Sequence, residues 1–113
     1  HYMDEAEQCG RIALMRDGRI IALNSPAALK KSAFPEPLWE LSPQPHAPRG
    51  WARGLEKDGA VRSLSPHGLR YHAVAGAPRA WSAALRRLQG KVKVRRIPPS
   101  LEDVFIRLVE GKQ

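Results

Sequence analysis

The chain of 113 residues contains a single cysteine, Cys9, so no disulfide forms within it, in keeping with a reducing compartment. Aromatic residues make up only 6% of the sequence, and no apolar run approaches the roughly 20 residues of a membrane-spanning helix. These scarcities exclude a disulfide-stapled scaffold and a helical membrane span within the chain. The hydrophobic fraction of 42% is ordinary, so we expect one small folded domain with an appendage.

Acidic residues are also scarce, with 11 Asp and Glu against 19 Lys and Arg and a net charge of +8. Such an excess suits binding to nucleic acid, to an anionic membrane surface or to an acidic protein. It equally suits a solvated basic surface, because charge governs association more than fold.

A proline-rich stretch at residues 33–37 divides the chain into two predicted parts, residues 1–34 and 35–113. In the first part, an acidic helical turn precedes two short apolar runs around Asp17-Gly18, which is a strong hairpin signal. Ser25 and Pro26 then suit the cap and first residue of a helix. The first part is therefore predicted to be a helix, a hairpin and a helix.

The second part alternates strand and helix signals in the order β-α-β-β-α-β-α, with a turn expected at residues 65–68. The first six elements match a ferredoxin-like βαββαβ sandwich, so the predicted fold class is α+β. A final helix follows, with Ser100 and Asp103 spaced as a capping box. Its apolar stripe consists of Leu101, Val104, Phe105, Leu108 and Val109.

The start of the chain carries the most specific motif. Residues 1–7 read His1-Tyr2-Met3-Asp4-Glu5-Ala6-Glu7, followed by Cys9-Gly10-Arg11-Ile12, Gly18-Arg19-Ile20 and Asn24-Ser25-Pro26. This series resembles the region that begins at the switch-loop histidine of ATP-binding cassette (ABC) ATPase subunits. Two positions depart from the family pattern: Gly10 replaces the usual Asp, and Asn24 replaces the usual Gly. Asn24 is a mild departure, because asparagine tolerates a left-handed backbone.

The end of the chain carries a second motif, Pro99-Ser100-Leu101-Glu102-Asp103-Val104-Phe105. It resembles the closing signature of export-type ABC subunits. The resemblance therefore covers both ends of the chain and is weak through the middle.

The resemblance implies a C-terminal fragment of an ATP-binding subunit whose parent couples ATP hydrolysis to export through a membrane permease. That parent would bind ATP and Mg²⁺ and work as a homodimer at the cytoplasmic face of the membrane. In it, His1 would contact the γ-phosphate of ATP. The fragment lacks the phosphate loop, the Leu-Ser-Gly-Gly-Gln signature and the catalytic carboxylates. We therefore expect no ATPase activity and no bound cofactor or metal in this chain alone.

Without its own catalysis, residues 35–113 are expected to be an accessory or regulatory domain. The final helix is the candidate docking element, with Leu101, Val104, Phe105 and Leu108 as interaction residues. The isolated residues have simpler interpretations: Cys9 as a buried or half-buried small residue, and His46, His67 and His72 as separate surface or loop residues.

The alternative function is an RNA-recognition-like module. Trp39 and Tyr71 fall on the two strands expected at the centre of the sheet, where such modules stack bases on a free face. Basic residues at 86, 87, 91, 93, 95 and 96 would supply the charge. The third strand of the second part, however, lacks the aromatic and glycine pattern of that family.

Overall fold

The computed structural model describes residues 2–110 of the chain, with side chains from Asp4 onward. Within that range the fold is α+β, with five helices and two antiparallel sheets. In chain order the elements are α1 (Tyr2–Ala6), β1 (Ile12–Arg16), β2 (Arg19–Asn24), α2 (Pro26–Ala33), β3 (Leu38–Pro43), α3 (Trp51–Lys57), β4 (Val61–His67), β5 (Arg70–Ala75), α4 (Pro78–Leu88), β6 (Val92–Ile97) and α5 (Leu101–Glu110).

These elements form two compact units. The first, here called the hairpin unit, contains the described residues up to Pro35 together with those from Pro99 onward. The second, the sheet unit, is the continuous stretch Glu36–Pro98. The sequence predicted a break near residue 35, but it assigned the final helix to the second part. The structure groups α5 with the hairpin, because the apolar stripe of α5 packs there.

The hairpin unit is built around strands β1 and β2, which pair antiparallel with Arg16 opposite Arg19. Asp17 and Gly18 both have positive φ, 52° and 76°, as the tight two-residue turn requires. The predicted hairpin and its Asp-Gly turn are thus confirmed. The register shifts between Leu14 and Met15, so that Ile21 of β2 has no residue of β1 directly opposite.

A side-chain cap marks the start of α2 in the hairpin unit. The Ala28 N–H donates to Ser25 Oγ at 3.1 Å, which confirms the predicted start of α2. Asn24 occupies a position where the family usually has Gly, which suggested a left-handed backbone. The structure does not place Asn24 in that conformation. Instead its Oδ1 accepts a hydrogen bond of 2.8 Å from the Ser25 N–H.

The core of the hairpin unit joins residues from both ends of the chain. Leu14 of β1, Leu29 of α2, and Leu101 and Val104 of α5 are buried together. Half-buried apolar side chains surround them, including Ile12, Ile21, Phe34, Phe105 and Leu108. The hairpin therefore gains an apolar partner from α5, which an isolated two-stranded sheet needs in water.

The sheet unit has the strand order β4-β5-β3-β6, and every neighbouring pair is antiparallel. The turn expected at residues 65–68 is wrong in its placement, since β4 continues to His67. Pro66 is accommodated because β4 is an edge strand, where a missing N–H leaves no ladder bond unmade. The turn itself follows at Gly68, which has φ of 64°.

Helices α3 and α4 cover one face of this sheet. The buried core contains Leu41 of β3 and Ala73 of β5 together with Leu55, Ala84 and Leu88 of the helices. Trp51 and Trp81 pack against it half-buried.

None of the helices in the described range is long and apolar enough to cross a membrane.

The packing of α5 gives a direct test. Leu101 is 0% exposed, so Leu101→Ala leaves a cavity and should lower the free energy of unfolding by about 2–5 kcal/mol. The expected readout is faster hydrogen exchange at the amides of Leu14 and Leu29. Leu69→Ala is the matched control, because Leu69 is 91% exposed and the same truncation should cost less than about 0.5 kcal/mol. Equal effects of the two variants would contradict the core position of α5.

Candidate functional site

The predicted site residues fall into two groups. His1, the expected ligand of the γ-phosphate, lies outside the described residues. The four expected docking residues of α5 all lie in the hairpin unit. Leu101 and Val104 are 0% exposed, and Phe105 and Leu108 are half-buried against them. The expectation of a docking stripe is therefore corrected: these side chains form an internal core, because the hairpin needs an apolar partner.

The carboxylate of Glu7 joins three pieces of the hairpin unit. Its Oε1 accepts a hydrogen bond from Lys30 Nζ of α2 at 2.5 Å. Its Oε2 accepts a second one from the Leu101 N–H, the first residue of α5, at 3.1 Å. Glu7 closes the first motif and Leu101 belongs to the second, so the two motifs are in direct contact. Sequence reasoning missed this link, since 94 residues separate the partners.

The local cap of α5 completes the same junction. The N–H and the Oγ of Ser100 both donate to Asp103 Oδ2 at 2.9 Å, and the Asp103 N–H donates back to Ser100 Oγ at 3.2 Å. The predicted capping box is thus confirmed. Asp103 itself is buried, which strengthens the need for these donors.

The environment of Glu7 lowers its pKa below the ordinary value. The main cause is the hydrogen bond from the Lys30 ammonium; partial burial opposes it, and the Leu101 N–H adds to the lowering. A carboxyl with a lowered folded-state pKa stabilises the fold fully above its ordinary pKa. This stabilisation is lost as the pH falls through the folded-state value.

The outer face of the hairpin exposes large apolar side chains. Met15, Ile20 and Leu23 are 54%, 58% and 51% exposed, and Met15 lies directly opposite Ile20. Within residues 2–110, β1 and β2 pair only with each other, so each leaves one edge without a strand partner. An apolar face beside unpaired strand edges is typical of a surface that another polypeptide covers.

The aromatic residues on which the RNA-recognition alternative depends lie on the helix-covered face of the sheet. Trp39 and Tyr71 do lie on the two central strands, β3 and β5. However, the Trp39 ring contacts Trp81 of α4 at 5.9 Å, and the Tyr71 ring contacts Trp51 of α3 at 5.2 Å. Both rings therefore point toward the helices. Among the described residues, the face of the sheet away from the helices carries no Trp, Tyr or Phe.

A carboxylate occupies the centre of that other face instead. Glu40 accepts a hydrogen bond from Arg95 at 2.9 Å and one from Arg70 at 3.5 Å, and His72 Nε2 lies 3.7 Å away. The Arg95 hydrogen bond, supported by the charges of Arg70, Arg95 and His72, lowers the pKa of Glu40 against the effect of burial. These cations are thus partly neutralised, which does not favour a nucleic-acid backbone at this place.

Two further expectations about single residues need correction. Cys9 is exposed rather than buried. His67 and His72 are not scattered, since their rings stack with centroids 3.8 Å apart on neighbouring strands. No local pattern reveals this stack, because the register of β4 and β5 alone brings the two side chains together.

No known protein-family model matches the chain, and a search of curated proteins gives no match either.

Removal of the Glu7 charge tests the junction. Glu7→Gln should lower the free energy of unfolding at pH 7 by about 1–2 kcal/mol, because two charge-assisted hydrogen bonds weaken. The loss of stability between pH 7 and pH 3 should also be smaller in the variant, measured by denaturant unfolding at each pH. Glu5→Gln is the control, since Glu5 is exposed and its side chain forms no ion pair within the described range. Identical pH profiles for Glu7→Gln and the unaltered chain would refute the role of Glu7.

Proposed function

We propose that the chain is the C-terminal part of an ABC transporter ATP-binding subunit, whose parent couples ATP hydrolysis to export through a membrane permease. The observation that carries this proposal is the contact between the two motifs. The residues that resemble the family lie at opposite ends of the sequence, and Glu7 of the first motif accepts a hydrogen bond from Leu101 of the second. A chance resemblance at both ends would not require the two motifs to share one core.

The finer fold assignment belongs to the same proposal. We infer that the sheet unit is a ferredoxin-like βαββαβ sandwich, which its element order and its antiparallel β4-β5-β3-β6 sheet support. The helix, hairpin and helix of residues 2–33 are the remnant of a nucleotide-binding domain. The sheet unit is then an accessory or regulatory domain inserted between α2 and α5.

The exposed apolar face of the hairpin supports an incomplete domain. Met15, Ile20 and Leu23 would pack against the remainder of the ATPase domain in the parent. That remainder would also hold ATP and Mg²⁺, because the chain contains no phosphate loop or catalytic carboxylate motif of its own. His1 would contact the γ-phosphate and orient the attacking water, and no hydrolysis is expected without the upstream residues.

The parent would work as a homodimer on the cytoplasmic face of the membrane, bound to its permease. The net charge of +8 suits a position near anionic lipid headgroups. The RNA-recognition alternative gains no support from the sheet, because Trp39 and Tyr71 face the helices.

Two observations test the proposal. One is the coding sequence upstream of His1, and the other is the activity of the longer protein that includes those upstream residues. We expect a phosphate loop and a Leu-Ser-Gly-Gly-Gln signature there, and Mg²⁺-dependent ATP hydrolysis by the longer protein. His1→Ala should lower its turnover on the order of 10²-fold or more, because a group that stabilises the transition state is lost. An upstream sequence without a phosphate loop, or a longer protein without ATPase activity, would overturn the proposal.

The hairpin face gives a second test in the same two proteins. Ile20→Ser should leave the melting temperature of the 113-residue chain almost unchanged, because Ile20 is already exposed there. In the longer protein the same change should lower the melting temperature by several degrees, since a buried apolar contact is lost. Leu69→Ser, at an exposed leucine of the sheet unit, should leave the melting temperature of both proteins unchanged. If Ile20→Ser left the melting temperature of the longer protein unchanged, the ATPase domain would not cover this face.

A further inference from the structure

A cleft of about 810 Å³ lies in the sheet unit between α3 and the paired strands β4 and β5. Its apolar lining includes Trp51, Leu64 and Tyr71, and the rings of Trp51 and Tyr71 meet edge to face at 84°. All three side chains are half-buried, so they support the cleft from the core and still leave apolar surface for a ligand. The volume is within the range of small-molecule sites.

The rim of the cleft is basic, and its cations have no acidic partners. Arg49, Arg53 and Lys57 line it at four-residue intervals, with Glu56 as the single carboxylate. Within residues 2–110, none of the three cations forms an ion pair. By contrast, Arg62 pairs with Glu36 and Arg95 with Glu40 in the same unit. The rim cations are thus available to an external anion.

Helix stability favours Lys57 in the last turn of α3 but does not explain Arg53 and Gly54. A cation in the first turn is unfavourable because of the helix dipole, and Arg53 lies there. Gly54 costs about 1 kcal/mol relative to alanine inside a helix. No packing contact requires it, since an added Cβ would meet nothing within 4 Å. Gly54 also lines the cleft, so its missing side chain leaves that part of the lining open.

We propose that this cleft binds a small organic anion that combines an apolar ring with a phosphate or a comparable multiply charged group. The ring would lie on Trp51, Leu64 and Tyr71, and the charged group would be held by Arg53 and Lys57 with support from Arg49. Arg53 and Lys57 are about 6 Å apart along the helix axis, a separation that one small ligand spans. This inference goes beyond the proposed function, which assigns no ligand to the sheet unit.

The test uses the full 113-residue chain and three probes. 1-Naphthyl phosphate carries both features, whereas inorganic phosphate and 1-naphthol each carry one. Isothermal titration should give 1-naphthyl phosphate an affinity at least about tenfold higher than either partial probe, because charge pairing and apolar burial act together. In NMR spectra the Gly54 amide and the Trp51 indole N–H should shift on binding.

Two variants locate the site. The double variant Arg53→Gln with Lys57→Gln should weaken binding of 1-naphthyl phosphate at least about tenfold. Its control is Arg79→Gln with Arg86→Gln, which removes the same charge from exposed positions of α4 and should weaken binding less than about twofold. Gly54→Ala should raise the melting temperature by a few degrees and still weaken binding several-fold, because the methyl group enters the cleft.

Each remaining outcome overturns the assignment. Equal affinity for 1-naphthyl phosphate and inorganic phosphate would show that the rings contribute nothing. Equal weakening by the two double variants would show only a general effect of net charge. Tighter binding of a hexaglutamate peptide, with the same shifts at Gly54 and Trp51, would identify a protein partner instead of a small ligand. A Gly54→Ala protein that is more stable and binds normally would exclude the cleft beside α3.

Discussion

The hairpin unit depends on one carboxylate, that of Glu7. The start of α5 presents backbone N–H groups that no residue within the helix satisfies. Glu7 accepts the one from Leu101 while Lys30 balances its charge, so three pieces of chain are joined at a single side chain. The buried leucines below this junction add apolar contact but little direction, since the hydrophobic effect is not directional. The hydrogen bonds therefore decide how α5 begins.

The sheet unit also contains a carboxylate that other side chains neutralise, that of Glu40. Glu40 lies on a central strand, where a carboxylate without partners would be costly. Two arginines and a histidine compensate it across the neighbouring strands, on the face opposite the aromatic pairs. Polar and aromatic side chains thus separate to the two faces through strand alternation. Within the described residues, the cations beside α3 lack such compensation, as do Arg79 and Arg86 of α4.

Local patterns in the sequence predicted most of the elements and few of their partners. The Asp17-Gly18 turn and the Ser100 capping box involve neighbours in sequence, so composition and spacing were enough to find them. Periodicity identified the apolar stripe that contains Leu101 and Val104, and from the sequence alone this stripe was interpreted as a docking surface of residues 35–113. Periodicity could not show that the stripe packs into the core of the hairpin unit. The Glu7 junction and the cleft both escaped prediction, because each joins residues far apart along the chain. Trp39 and Tyr71 were placed on the correct strands, whereas their face was decided by the helices that cover it.

The division of the chain into units also has a consequence for synthesis on the ribosome. The sheet unit is continuous in sequence, so all of its strands are available once residue 98 has left the exit tunnel. The hairpin unit is made first but lacks Leu101 and Val104 until α5 emerges. More than sixty intervening residues, Glu36–Pro98, are therefore synthesised before the core of the hairpin unit can form. For that interval the apolar side chains of the nascent hairpin stay exposed, which makes this segment prone to aggregate.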